Sequence, residues 1–145
     1  MIIHKATLND LDSLTELFDL YRIFYEQPSD MEGAKEFLKA RFANKESVVF
    51  IAYDDVNPVG FVQLYPSFSS VSMKRSWVLN DLYVKEHVRG KGLGEKLIKN
   101  AIHFAEETCA KGVLLETAID NITAQRLYEK MGFIKVSNSF YYFSI

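Results

Sequence analysis

Residues Leu82 to Gly94 read L-Y-V-K-E-H-V-R-G-K-G-L-G, and the change of residue type along them sets the architecture of the second half of the chain. The run from Trp77 to Val84 is aromatic and β-branched, as a strand requires. A short, largely polar link follows, and then glycine at every second position, Gly90, Gly92 and Gly94. Leu97, Ala101, Phe104 and Ala105 then recur at the spacing that places them on one face of a long helix, with Gly112 positioned to end it. A glycine run between a strand and a helix start lets successive backbone N–H groups converge and lets an anion approach them closely. The helix dipole adds to that field, so the stretch reads as a cradle for an oxyanion or a phosphate. A glycine-eased helix entry without a ligand is the other reading. Glu95 stands where a dinucleotide-binding fingerprint needs glycine, and Glu95-Lys96 stand where a Walker A loop needs Lys followed by Ser or Thr.

Outward from this stretch, Val113 to Ala118 reads as a buried strand and Asn121 to Met131 as a helix. Phe133 to Val136 and Phe140 to Ile145 read as closing strands. Toward the N-terminus, Ile2 to Ala6 reads as a short strand, and Thr7 with Asp10 makes a capping-box start for a helix. That helix carries Leu11, Leu14, Phe18, Tyr21 and Tyr25 on one face. A second helix runs from about Met31 to Asn44, burying Ala34, Phe37, Leu38 and Phe42. Ser47 to Tyr53 and Val59 to Tyr65 flank turn residues and form an antiparallel hairpin. Pro66 to Arg75 reads as a loop packed over a site. The order of elements implies one mixed α/β sheet with helices on both faces.

Size and charge narrow the function. The chain has 145 residues, 48% of them hydrophobic and 14% aromatic, enough for one domain over residues 1–145 with a sizeable core. Seventeen Lys and Arg against nineteen Asp and Glu give a net charge of -2 without a basic stripe, which argues against nucleic acid as a partner. No apolar stretch is long enough to cross a bilayer, so a soluble, unexported protein with no membrane partner is expected. The lone Cys109 cannot form an internal disulfide, which suits the cytoplasm. It lies near the end of a helix among alanines, where a small buried thiol is ordinary. His4, His87 and His103 lack metal-ligand spacing, and no metal is expected.

The segment D-N-I-T-A-Q-R-L-Y-E-K-M-G-F, Asp120 to Phe133, opens on helix-start residues and closes on a C-cap glycine, Gly132. Tyr128 lies two turns after Asn121, so both project from nearly the same side. L-Y-V-K-E-H-V-R-G-K-G-L-G followed by N-I-T-A-Q-R-L-Y-E-K-M-G-F resembles the two signature motifs of the GNAT (GCN5-related) N-acetyltransferase superfamily. The resemblance extends from about Trp77 to Phe133. It implies a mostly antiparallel sheet of about six to seven strands, in which the strand carrying Leu82 to Val84 splays from its parallel neighbour at Val113 to Ala118. It also implies acetyl-CoA as co-substrate. The pantetheine arm would meet backbone groups near Leu82, Tyr83 and Val84. The pyrophosphate would meet the amides of Arg89, Gly90, Lys91, Gly92, Leu93 and Gly94, with charge from Arg89 and Lys91. Asn121 would hydrogen-bond the cofactor or a water. Tyr128 matches the family's general acid, and an amide near Leu82 or Tyr83 matches its oxyanion donor.

The implied reaction is attack of an amine on a thioester. An amine of pKa about 10.4 is only about one part in a thousand neutral near pH 7.5, so a carboxylate must remove its proton, directly or through water. Asp81 and Glu116 are the candidates, both on strands expected to flank the cleft. A phenol such as Tyr128 stays protonated at neutral pH and can protonate the departing thiolate. In the family, acceptor specificity comes from the first helices and the loop after the hairpin. Tyr21, Tyr25, Glu26 and Asp30 are therefore the candidate acceptor residues, suited to the amine of a small molecule or a peptide. Asn80-Asp81 departs from the Glu-Asp pair of some polyamine-acetylating relatives, which argues against a polyamine. A non-catalytic acyl-CoA-binding or regulatory module of the same fold is the alternative class, and Tyr128 with a nearby carboxylate favours the enzyme. The aromatic segment Phe140 to Ile145, as an edge strand, would favour a homodimer.

Overall fold

The strands of this chain form because β-branched and aromatic residues recur in runs of suitable length, and one of these runs is far longer than its composition suggests. A computed structural model describes residues 1–145, which fall into two compact units, 1–115 and 116–145. In the first unit, β1 (Ile2–Lys5), β2 (Val48–Asp54), β3 (Asn57–Ser69), β4 (Lys74–Val84) and β5 (Val113–Leu114) form one five-stranded sheet in sequence order. The first three pairings are antiparallel, and β4 pairs with β5 in parallel. The sheet is thus mixed and mostly antiparallel, with five strands where the sequence predicts more.

Helices α1 (Leu11–Phe24) and α2 (Met31–Ala43) cover one face, and α3 (Leu93–Glu107) covers the other. On the α1 side, Leu14, Leu17, Phe18 and Leu38 pack with Val49, Ile51 and Phe61. Opposite, the α3 residue Phe104 meets Phe50 and Trp77 at ring-centroid distances of 5.8 and 5.2 Å. Thr7 and Asp10 form the predicted capping box. Asp10 lies on the path from β1 into α1, accepting from the Thr7 amide at 2.9 Å and the Tyr53 hydroxyl at 2.8 Å, with the His4 ring at 3.1 Å. Phe37 remains partly exposed, its ring stacked on Phe18 at 5.6 Å and covered by the Arg41 guanidinium at 4.5 Å.

Four expectations are corrected. Pro66 to Arg75 is not a loop: the β3–β4 ladder continues through Pro66↔Trp77 and Phe68↔Arg75 to Ser69↔Lys74. Serines at alternate positions suit a two-stranded ribbon with solvated faces, and Arg75 lies over the Phe68 ring at 5.1 Å. The strand expected over Val113 to Ala118 stops at Leu114, because its pairing with β4 ends at Val78↔Leu114. Glu116 is therefore not on a strand. Helix α3 ends at Glu107, five residues before Gly112. Cys109 adopts a left-handed φ of 55° and is exposed rather than buried, because the chain reverses there.

In the second unit, α4 (Ile122–Lys130) is the one regular element. Asn121 caps it by accepting from the Ala124 amide at 3.2 Å, and Gly132 follows with a φ of 100°. Residues 133–145 form no strand, so the edge pairing expected of Phe140 to Ile145 has no ladder behind it. Strand propensity is realised only where a partner backbone accepts the ladder.

Candidate active site

The register of β3 against β4 determines where the chemistry-bearing side chains point. Gln63 pairs with Asp81 and Leu64 with Leu79, so Asn80 is an extra residue, a β-bulge in β4. The parallel ladder to β5 has already ended at Val78. From Leu79 onward β4 therefore has β3 on one side and no strand on the other. Leu82, Tyr83 and Val84 lie in this half-paired stretch, where an extended ligand can reach main-chain groups.

Beyond β4 the chain makes a short 3-10 turn and enters α3 through Gly90 and Gly92, with φ of 79° and 80°. These left-handed values are what glycine supplies at low cost. Gly92 is the N-cap of α3 and has no side chain to give, so no side chain caps the helix start. The first intrahelical bond runs from the Lys96 amide to the Gly92 carbonyl at 3.1 Å, leaving the amides of Leu93 and Gly94 ahead of it. A Cβ placed on Gly90, Gly92 or Gly94 would meet nothing within 4 Å. Open space over uncapped amides at a helix N-terminus fits a diphosphate. Lys91 is exposed beside it.

Arg89, expected to add charge at the loop, has its side chain engaged with the elements beside it. Its Nε donates to the Val84 carbonyl at 2.8 Å, and its guanidinium lies 5.5 Å from the Phe24 ring and 5.6 Å from the Tyr83 ring. Its side chain therefore joins the end of α1 to the end of β4, while its backbone amide donates to the Glu86 carbonyl at 3.2 Å.

On the α1 side of the sheet, Asp81 is only 2% exposed. Its Oδ1 accepts from Asn80 Nδ2 at 2.8 Å and its Oδ2 accepts from Gln63 Nε2, while the nearby Tyr21 hydroxyl donates to the Asn80 carbonyl at 3.4 Å. These partners are all uncharged. Burial raises the Asp81 pKa, and the hydrogen bonds from Gln63 and Asn80, with the nearby Tyr21 hydroxyl, only partly offset that effect. Burial and the nearby Asp81 carboxylate in turn raise the phenol pKa values of Tyr21 and Tyr65. Tyr21 packs on Phe61 at 5.9 Å and on Tyr25 at 5.0 Å, and Tyr25 is largely exposed.

The structure thus brings Asp81, Tyr21 and Tyr25 together on one face. Asp30 is occupied as the N-cap of α2, accepting from the Gly33 amide at 2.9 Å. Glu26 follows α1 in a left-handed conformation and is exposed. In the second unit, Asn121 and Tyr128 are carried by α4 and its cap, with the Tyr128 ring 5.9 Å from that of Phe133. Gln63 escaped the sequence reading. Its one available signal is a lone amide between Val62 and Leu64 in an otherwise apolar run.

Comparison with known proteins agrees with this geometry. The family model described as acetyltransferase (GNAT) family matches residues 14–133. The uncharacterized N-acetyltransferase YhfO of Bacillus subtilis (strain 168) is 47% identical over 133 residues, covering 92% of this chain and 89% of that protein. A spermine/spermidine N(1)-acetyltransferase of the same strain is 31% identical over 126 residues, covering 84% and 82% respectively. The crystal structure of a probable acetyltransferase superimposes with a TM-score of 0.94 at 42% identity, covering 100% of this chain and 98% of the other. Fold, glycine loop and half-paired β4 together define an acyl-transfer scaffold. The chain belongs to the GNAT acetyltransferase family and is an N-acetyltransferase.

Proposed function

We propose that this N-acetyltransferase takes its acyl group from acetyl-CoA and passes it to a primary amine of a small molecule or peptide by direct attack on the thioester, in the cytoplasm. The observation that carries the reading is the start of α3: amides with no side-chain cap, opened by two left-handed glycines, under space that no protein atom fills. The amides from Gly90 to Gly94 hold the diphosphate, with Lys91 adding charge and the Arg89 amide, sequence-matched to the same loop, donating instead to the Glu86 carbonyl, and the half-paired backbone of Leu82 to Val84 holds the pantetheine arm. Bound acetyl-CoA supplies the activated carbonyl and the thiolate leaving group.

The remaining steps fall to side chains of this protein. Asp81 takes a proton from the acceptor ammonium, and its burial suits it to do so near neutral pH, where an ordinary carboxylate would be too weak a base. The neutral amine then forms the C–N bond while the C–S bond breaks. Tyr128 gives its proton to the departing sulfur and is restored by the proton that the nitrogen sheds as the amide forms, and an amide near Leu82 or Tyr83 steadies the oxyanion. Asn121 orients the cofactor or a water. Glu116 is the second carboxylate to test. Tyr21 and Tyr25 offer an aromatic wall to a cationic acceptor, with Glu26 and Asp30 further along the same segment. Likeness to a spermine/spermidine acetyltransferase supports a primary amine as acceptor.

The test is free-thiol release from acetyl-CoA over polyamines, amino acids, aminoglycosides and peptide N-termini, beside calorimetry with coenzyme A. Saturable release with one class is the expected result. Absence of coenzyme A binding by folded protein refutes the proposal. Binding without turnover on any amine points instead to an acyl-CoA-binding module.

A further inference from the structure

Gln63 is fully buried in the middle of β3, between two apolar neighbours, and its amide has one satisfied end and one orphaned end. Nε2 donates to Asp81 Oδ2, while Oε1 has no hydrogen-bond partner. A buried amide oxygen without a partner carries a desolvation cost that native cores generally avoid, so it calls for an explanation.

The explanation lies in the group that the other end of the amide holds. Asp81 is a carboxyl group that can be ionised or neutral, and a carboxamide can satisfy either form by turning about its last bond. An ionised Asp81 has only acceptors, and Gln63 must present Nε2. A neutral Asp81 has an O–H to donate, and Gln63 can present Oε1. The two orientations of the amide correspond to the two protonation states of the acid, and each leaves the opposite end of the amide without a partner.

We infer that Gln63 is a positioning residue for Asp81, its carboxamide turning over as Asp81 gains and loses a proton, so that the carboxyl stays anchored through both halves of a proton-transfer cycle. The inference rests on the reading of Asp81 as the base. The proton taken from the acceptor ammonium resides on Oδ2 and is directed at Gln63 Oε1. On release, Nε2 returns to the carboxylate. Asn80 Nδ2 holds Oδ1 at 2.8 Å, so the movement is confined to the Oδ2 side.

The surroundings keep this exchange separate from other titrations. Tyr21 faces it from α1 with Tyr25 behind, Tyr65 faces it from β3, and the Arg41 guanidinium of α2 acts on Tyr65. The Tyr21 and Tyr65 phenols are pushed up by burial and by the Asp81 charge, so they remain protonated while Asp81 titrates. No cation is among the hydrogen-bond partners of Asp81, so an uncharged group must serve both of its states.

The experiment follows the Gln63 side-chain amide by 1H–15N NMR and the Asp81 carboxyl carbon by 13C NMR over a pH series on the unliganded full chain. The pH profile of kcat/KM for thiol release is measured alongside. Gln63→Met, which keeps the shape without the hydrogen bonds, assigns the amide signals. Expected are amide resonances and a carboxyl carbon that share one midpoint, matched by the acid limb of kcat/KM. In Gln63→Met, kcat/KM at the acid end should fall about three- to tenfold further below its plateau, since hydrogen bonds to charged groups outweigh those to neutral ones. Should Gln63→Met not fold, the titration of the wild type alone decides. Amide signals that stay flat while Asp81 titrates overturn the inference, as do amide signals that still titrate in Asp81→Asn. A shared midpoint with the acid limb of kcat/KM elsewhere upholds the pair and removes Asp81 from the base role.

Discussion

Replacing Gly94 with alanine should move stability and cofactor affinity in opposite directions. Gly94 is the second residue of α3, where glycine costs a helix about 0.5 to 1 kcal/mol relative to alanine. An added Cβ would meet no protein atom within 4 Å, and its φ is not among the left-handed values recorded for Gly90, Gly92 and Gly132. Nothing in the protein therefore opposes the methyl group, and the unfolded chain loses freedom. The expected gain is about 0.4 to 1 kcal/mol, or about 1 to 4 °C in Tm for a chain of this size. The same methyl group would stand in the space above the amides proposed to hold the diphosphate. Losing close approach at even one charge-assisted hydrogen bond costs about 1.5 to 3 kcal/mol, so the Kd for coenzyme A should rise about 10- to 100-fold. Thermal unfolding without ligand and calorimetry with coenzyme A measure the two effects. A variant that is stabilised but binds coenzyme A as tightly as wild type would refute the placement of the diphosphate.

Asp81→Asn should lower kcat/KM by about 100- to 10,000-fold, the range for a lost general base. Because the folded pKa of Asp81 is raised, its ionised form opposes folding, and this penalty grows as pH rises from the usual carboxylate range through the folded pKa. The variant should therefore have a higher Tm than wild type at pH 7 and lose that advantage in acid; equal Tm at both would count against an uncompensated buried charge. Tyr128→Phe should reduce turnover with little change in acetyl-CoA affinity, and unchanged turnover removes Tyr128 from the acid role. Asp10→Ala deletes the acceptor shared by Thr7, Tyr53 and His4, and should cost about 1 to 2 kcal/mol in urea unfolding at pH 7. Burial opposes ionisation of Asp10, but the Thr7 amide, Tyr53 and His4 outweigh it and hold its pKa low, so this difference should shrink as pH falls through the folded pKa.

Local signals made much of this architecture legible. Thr7 with Asp10, the turn before Met31, the glycines at 90 to 94 and the Asn121 cap each marked a helix start, because capping and left-handed geometry restrict residue choice within a few positions. What escaped depended on partners distant in sequence. Serines between Pro66 and Arg75 look like a loop until the facing strand is known, and the aromatic residues after Phe133 look like strands until a ladder is sought. Which way Asp81 faces was undecidable from alternation alone, since the bulge at Asn80 shifts the register. Gln63 was passed over because a single amide in an apolar run has no periodicity, and its meaning emerges only opposite Asp81.

The early parting of β4 and β5 makes the access route a property of the main chain. Ladder register and one supernumerary residue create it, so exchanging side chains on α1 or in the β3–β4 ribbon can retune what is admitted without closing the way in. On the proposed function, such a division of labour would let the choice of acceptor change while the dock for the acyl carrier stays as it is.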